Sequence, residues 1–323
     1  MRIATFNLEN LDETKSGGPT LEARIRALAP QLDRADADIL CLQEVNAQRS
    51  PGGKKREFTA LRSLIEAAGL AGHHLAVSGN REGSGPRDIH NLATLSRHPI
   101  EATGQLWHDL VPEPRHGYLA GDRAGEDVML AWDRPVLYTR IKLGGEKPLH
   151  LYNVHLRAPL ACPVPGAKRD KFAWGSVSAW AEGYYMSEIK RAGQALELRA
   201  AIDRVFDEDA DALIAVAGDF NSEEHHTPVE ILRGSEENTA NGALAGRVMV
   251  AVEHALASDR RFTVIHQGRR QMLDHILVSR GLLAHFEGSE IHNEALSDEL
   301  VGYASVEASP LSYHAPVVAI FDL

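Results

Sequence analysis

Only two cysteines occur in the 323 residues, Cys41 in ADILCLQEV and Cys162 in RAPLACPVP. That excludes a disulfide framework and argues against a structural zinc site. Long apolar runs are missing as well: nowhere do about 18 apolar residues follow one another, the length a membrane-spanning helix needs. The opening MRIATFNLEN starts an alternating strand at once, without a basic segment followed by an apolar one. A soluble, cytoplasmic protein without membrane insertion is the expectation. Positive charge is in short supply too, with 34 Lys and Arg against 45 Asp and Glu and a formal net charge of -11. The overall field therefore recruits neither nucleic acid nor an anionic membrane, and a polyanion would have to bind at a local basic patch or through a metal. Internal repeats and low-complexity tracts are absent.

What is present is an ordinary globular composition, 44% hydrophobic and 24% charged, enough to bury a sizeable core. The chain is long for one domain and short for two, but the opening strand and the closing APVVAIFDL both read as core strands, so a single domain over 1–323 is expected. Periodicity predicts a strand from Arg2 to Phe6, a helix from Leu21 to Ala35, a strand from Asp38 to Gln43, and a helix from Phe58 to Ala68 with Leu61, Leu64, Ile65 and Ala68 on one face. Strand then follows strand through NLATLSRHPI, EATGQLW, DVMLAWDRPVLYTRIKL and KPLHLYNVHLRA, the last two joined by a tight GGEK turn. A long helix is expected from Val177 to Asp207, with strands resuming at Leu213, Leu273, Phe286 and Pro316. Five long loops, 44–57, 79–90, 109–126, 158–175 and 233–247, are rich in Gly, Pro and charge and suggest a working surface.

Five strand ends share a pattern: an apolar run delivers polar residues with a possible task. RIATFNLEN presents Asn7, ILCLQEVN presents Glu44, LHLYNVHLRAP presents His155, LIAVAGDFNS presents Asp219 and Asn221, and LDHILVS presents Asp274. SYHAPVVAIF places His314 just before a strand. Taken singly, each has a plainer reading: Asn7 as a turn cap, Glu44 as a strand-end charge, Asp219 to Ser222 as an Asx turn, the histidines as satisfied core residues, and Asp274-His275 as a surface pair. It is the recurrence that argues for convergence on one site. Glu and Asp are hard oxygen ligands of the kind Mg²⁺ or Mn²⁺ takes, and no soft ligand accompanies them. Asn7 and Asn221 offer uncharged amides that suit fixing phosphoryl oxygens or a water. A histidine takes a proton near neutrality when a carboxylate holds its other ring nitrogen, and Asp274 is the candidate carboxylate. These parts describe metal-assisted hydrolysis of a phosphate ester.

In order along the chain, TFNLEN, LQEV, LATLSRHPI, NVHLRAP, AGDFNS, LDHILVS and SYHAPVVA resemble the motifs of the endonuclease/exonuclease/phosphatase superfamily, the deoxyribonuclease I-like phosphoesterases. The resemblance implies an α/β fold of the α+β kind, a four-layered sandwich of two mainly antiparallel sheets flanked by helices, with the site at one edge. It implies Glu44 as principal ligand of Mg²⁺ or Mn²⁺ with Asn7 beside it, Asp219 orienting or activating water, and Asn221 and His155 on the phosphate. His314 would be the base, held by Asp274. The implied partner is a phosphate-ester substrate, nucleic acid among the options. A phosphodiesterase or nuclease leads. A phosphatase on a small soluble or lipid-derived phosphate, and a weakly active phosphate-binding relative, are the alternatives. One departure stands out: where many members read Ser-Asp-His, this chain reads Ser312-Tyr313-His314, which puts a second metal position in question.

Weaker candidates are Lys168, Arg169, Lys171, Lys190 and Arg191 with Trp174, Trp180, Tyr184 and Tyr185, which would form a substrate wall or else a solvated amphipathic helix. Arg81, Arg87 and Asn91 read more simply as loop residues than as phosphate contacts. His225 and His226 are expected to point apart.

Overall fold

The computed structural model describes residues 1–13, 18–50, 52, 53, 55–300 and 308–323. Two six-stranded sheets form its middle. The first runs Phe286–Ile291, Val317–Phe321, Arg2–Leu11, Ile39–Val45, Asn91–Ser96, His74–Val77, and the second runs Val250–Ala251, Asp274–Val278, Leu213–Asp219, Leu149–His155, Val136–Ile141, Ile100–Leu106. Each sheet is antiparallel except for one central pair: Arg2–Leu11 lies parallel to Ile39–Val45, and Leu149–His155 lies parallel to Leu213–Asp219. Parallel neighbours end at the same edge. Each central pair therefore delivers two strand ends side by side.

Alternation along these strands builds the layers. In the first strand Ala4, Phe6 and Leu8 face the helices Leu21–Ala35 and Thr59–Ala67, packing with Leu28, Leu61 and Leu64. Ile3 faces the other way, into a core between the sheets shared with Cys41, Leu151, Ala215, Ile276 and Val317. On the far side Val154, Val216 and Phe220 meet Leu198, Ile202 and Phe206 of the 32-residue helix Val177–Glu208. The order is helix, sheet, sheet, helix, as the resemblance implies. No helix among the described residues is long and apolar enough to cross a membrane.

The structure amends several sequence expectations. DVMLAWDRPVLYTRIKL does not form one strand: only Val136–Ile141 joins the sheet, while Asp127–Met129 pairs with Arg115–Gly117 in a separate ribbon. The break spans 130–135 and ends at Pro135, which has no amide to give a ladder. His74–Val77 is an edge strand with three of four residues exposed, so no burial pattern marked it. The 44–57 loop holds a short ribbon, Gln48–Arg49 with Arg56–Glu57, and the 233–247 loop holds the helix Glu236–Thr239 and a 3₁₀ turn.

Gly218 lies in one of the two central strands of the second sheet, paired with Val154 of the other, whose carbonyl oxygen an added Cβ would meet. Val154 precedes His155, and Gly218 precedes Asp219. Gly218→Ala is therefore expected to cost roughly 1–3 kcal/mol of stability by overpacking, read by thermal unfolding. An unchanged melting temperature would show that the pair can spread freely.

Candidate active site

On the inner faces of the sheets, the alternation that carries Ile3, Ala217 and Ile276 into the apolar interior carries Asn7, Asp219 and Asp274 to its edge. His155 stands opposite Asp219, and Asp219 opposite Asp274, in the strand register. Asn7 Nδ2 donates to Asp219 Oδ2 at 2.9 Å and to Glu44 Oε1 at 3.3 Å. His155 Nε2 lies 3.4 Å from Asp219 Oδ2 and 3.8 Å from Glu44 Oε1. His314 Nδ1 donates to Asp274 Oδ2 at 2.8 Å. Asn221 Nδ2 donates to the Leu156 carbonyl at 3.0 Å. The seven side chains singled out in the sequence thus stand in one connected cluster.

Asn221 does not arrive by strand alternation. The strand ends at Asp219, and Asn221 adopts φ 48° while its amide donates to Asp219 Oδ1 at 2.8 Å. The Asx turn and the site are the same feature. Nine non-glycine residues among those described have positive φ, and five line one cavity: Glu9, Asn10, Glu44, His90 and Asn221. Left-handed backbone costs a non-glycine residue about 1 kcal/mol or more. Concentrated here, it is the expense of aiming side chains, as at Glu44, where the pairing with Asn91–Ser96 shifts register.

The cavity, about 460 Å³, is lined by Glu44, Asp219, Asn221 and His314 together with Arg87, Asp133, Arg134 and Arg157, and by apolar Ile89 and Leu160. Below it lies a polar clamp that sequence reading missed. Gln43 Nε2 donates to Asn153 Oδ1 at 2.9 Å, and Asn153 Nδ2 donates to the Ala93 carbonyl at 3.0 Å. Both residues are fully buried, so these bonds fix one sheet against the other directly beneath the site. Behind the Asn221 turn, buried His275 donates from Nε2 to the Ser222 carbonyl at 2.9 Å and pairs through Nδ1 with Glu253. Burial alone would lower the His275 pKa, but the Glu253 charge and hydrogen bond raise it. Asp274-His275 is accordingly no surface pair.

Arg134 was also missed, inside what read as a plain strand. The charged pair Asp133-Arg134 ahead of a proline was the available signal. Its guanidinium, 4% exposed, reaches His155 Nδ1 at 3.1 Å and His90 Nδ1 at 3.0 Å. Arginine only donates, so both Nδ1 atoms accept and both rings carry their proton on Nε2. His155 therefore offers an N–H to the site, and burial, then Arg134, His90 and His314, push its pKa well below the usual value. It is built as a donor, not a base.

Burial would lower the pKa of His314, but the charge and hydrogen bond of Asp274, then Asp219 and Glu44, raise it to about 10. Asp219 moves up through burial and Asp274, against the opposing pull of His314, the Asn221 amide and Asn7. The set fits a hard divalent cation. Glu9, Glu44 and Asp219 bring carboxylate oxygens to the cavity lining, and next to Asp219, Asp274 Oδ1 is buried without a hydrogen-bond partner among the described residues.

Tyr313 is 6% exposed and lines the cavity, and its amide donates at 2.9 Å to the carboxylate of Glu9, which lines the cavity too. A carboxylate absent from position 313 is thus present from the first strand. Tyr313→Asp, by adding charge beside Glu9, is expected to lower the metal concentration for half-maximal activity by a fewfold. Superimposable metal titrations would show that position 313 only packs.

The expected substrate wall divides. Lys168, Arg169 and Lys171 lie exposed on a loop, Trp174 packs against a small satellite core, and Arg191 turns inward to donate to the Asn221 carbonyl at 2.7 Å. Arg81 pairs with Glu113 away from the cavity. His225 and His226 do not point apart: their rings meet edge to face at 4.5 Å, and with Glu223 they bring ligand atoms within 4.8 Å of one another.

Facing sheets between helices, with acids, amides and histidines gathered at one edge of their interface, define a class of layered α/β hydrolases. The endonuclease/exonuclease/phosphatase family pattern matches residues 4–305, and the chain belongs to that family. The matched span stops short of Tyr313 and His314. No curated protein matches the chain by sequence. Similar solved structures include a mannosyl-6-phosphatase from Bacteroides thetaiotaomicron, at 17% identity and TM-score 0.61 over the whole of both chains. An endonuclease/exonuclease/phosphatase family protein from the same organism shows 19% identity and TM-score 0.59 over 100% of this chain and 98% of that one. An AP endonuclease from Archaeoglobus fulgidus shows 15% and 0.53 over the whole of both. At these identities the likeness shows the fold.

Proposed function

We propose that the chain hydrolyses phosphate esters with a divalent cation, Mg²⁺ or Mn²⁺, held by Glu44 and Asn7 with Asp219 and Glu9 at hand. Such an ion, when bound, supplies a Lewis acid for a phosphoryl oxygen and acidifies water. His314, turned by Asp274, takes the proton of the attacking water at Nε2. Asp219 aims that water, the His155 Nε2–H donates to a phosphoryl oxygen, and the Asn221 amide does so by exchanging its long 3.3 Å bond to Asp219 Oδ2 for the substrate. The observation that carries the reading is the His314–Asp274 pair at 2.8 Å beside buried Asp219, in a cavity that also holds Glu44.

Both diesters and monoesters suit this chemistry, and phosphodiester cleavage remains the leading activity. Among nucleic-acid and compact substrates the cavity favours the compact, because about 460 Å³ is the scale of small-molecule sites. Turnover of bis(p-nitrophenyl) phosphate above p-nitrophenyl phosphate, with Mg²⁺ or Mn²⁺ and abolished by chelator, is the expected result. No turnover of either with any metal would leave a phosphate-binding relative.

A further inference from the structure

The arginines that line the cavity carry a charge balance that hydrolysis at one phosphate does not require. Asp133 is its pivot. Arg157 Nη1 lies 3.1 Å from Asp133 Oδ2, and Lys190 Nζ donates to Oδ1 at 2.9 Å. Arg87 donates to the Asp133 backbone carbonyl and rests its guanidinium over the Trp107 ring at 5.6 Å. Lys190 does not line the cavity, whereas Arg87, Asp133 and Arg157 do. The lysine thus offsets the Asp133 charge from outside the lining and leaves Arg87 and Arg157 as cations of the cavity lining, in a protein whose formal net charge is -11.

Both guanidiniums are held in place. Arg157 also donates to Ser187 Oγ at 3.3 Å and to the Leu160 carbonyl at 3.2 Å, and its own amide is fixed by Gln194 Oε1 at 3.2 Å. It follows His155 by two residues, next to the Leu156 carbonyl that receives Asn221. Cations fixed in advance lose little freedom when an anion arrives. Solvated loop arginines would not show such anchoring.

We propose that Arg87 and Arg157 form a second anion subsite, so that the substrate is a compact phosphate ester carrying another phosphate or carboxylate beside the scissile group. This rests on the hydrolase reading above, which places the scissile phosphate against Asn221, His155 and His314. One charge-assisted contact per arginine corresponds to about tenfold in affinity.

The test is calorimetric, on the chelator-treated protein, with glucose 6-phosphate, glucose 1,6-bisphosphate and a 5′-phosphorylated dithymidylate. The bisphosphate is expected to bind about tenfold or more tightly than the monophosphate. Arg157→Gln and, independently, Arg87→Gln should each shrink that ratio severalfold, with melting temperatures checked alongside. Equal affinities for mono- and bisphosphate, or variants that weaken both ligands by the same factor, would overturn the subsite. Binding of the dinucleotide without the bisphosphate would overturn the compact substrate. Hydrolysis of p-nitrophenyl esters by the parent reports separately on the hydrolase reading, so the two can fail apart.

Discussion

His314→Ala is expected to reduce turnover by about a hundred- to ten-thousand-fold, the range for a positioned proton acceptor, while leaving the fold intact. The ring is held by Asp274 through Nδ1 at 2.8 Å, which leaves Nε2 for the substrate's water. His155 is no substitute, because Arg134 occupies its Nδ1 and its Nε2 already bears hydrogen. The pH behaviour identifies the group. With its pKa raised to about 10 by the surrounding carboxylates, against burial, His314 is protonated through neutrality in metal-free protein. The sign follows: a raised pKa contributes stability that is fully present below the ordinary value of about 6.5 and is lost as pH climbs through about 10. Asp274→Asn removes the largest raising influence and brings the titration down, which a histidine NMR titration reads. Because the same carboxylates would serve a divalent cation, loading the site loosens their hold on the proton, and half-saturation is expected at lower metal concentration as pH rises. Parent-like turnover in His314→Ala would move the base elsewhere.

Glu44→Gln is expected to weaken Mg²⁺ or Mn²⁺ binding by at least the ten- to hundredfold that outer-shell partners alone carry, and to lower turnover with it. Glutamine keeps the shape and can still accept from the Asn10 amide, which meets Glu44 Oε2 at 2.9 Å, so the loss reports on charge. Stability separates this from misfolding. Glu44 shares the site with Asp219 and Asp274 but also faces the Arg134 and His314 charges, so relief of repulsion and loss of attraction oppose each other and the metal-free melting temperature is expected to stay near the parent's. The metal-induced rise in melting temperature should shrink, since a ligand stabilises in proportion to the logarithm of its saturation. Calorimetry showing parent-like metal affinity would take Glu44 out of the ligand set.

Much of this was legible because strands that bury both faces advertise themselves. In LIAVAGDF the apolar run is continuous, and its abrupt end at Asp219 marks the sheet edge. The long helix Val177–Glu208 was likewise clear from its length. What stayed hidden depended on other strands. Arg134 looks like any charged residue until His90 and His155 are folded against it, and Glu9 looks like a solvent-facing strand end until Tyr313 comes back to its carboxylate. Gln43 and Asn153 read as strand residues of no particular kind, since the clamp exists only when two sheets meet. The His74–Val77 edge strand left no trace because it buries almost nothing.

Registry at the centre of the first sheet has a consequence for how the protein comes into being. Ile3 pairs with Ala319 on one side and Ile39 on the other, so the opening strand acquires its second neighbour only from the far end of the chain. Closing so long a loop is slow compared with forming helices or hairpins. Until it closes, an apolar strand presents an open hydrogen-bonding edge of the kind that templates aggregation. A chain cut before Val317 would therefore not be a weakened enzyme. It would be an insoluble one, and solubility during refolding, more than residual activity, is where damage to the last strand should show.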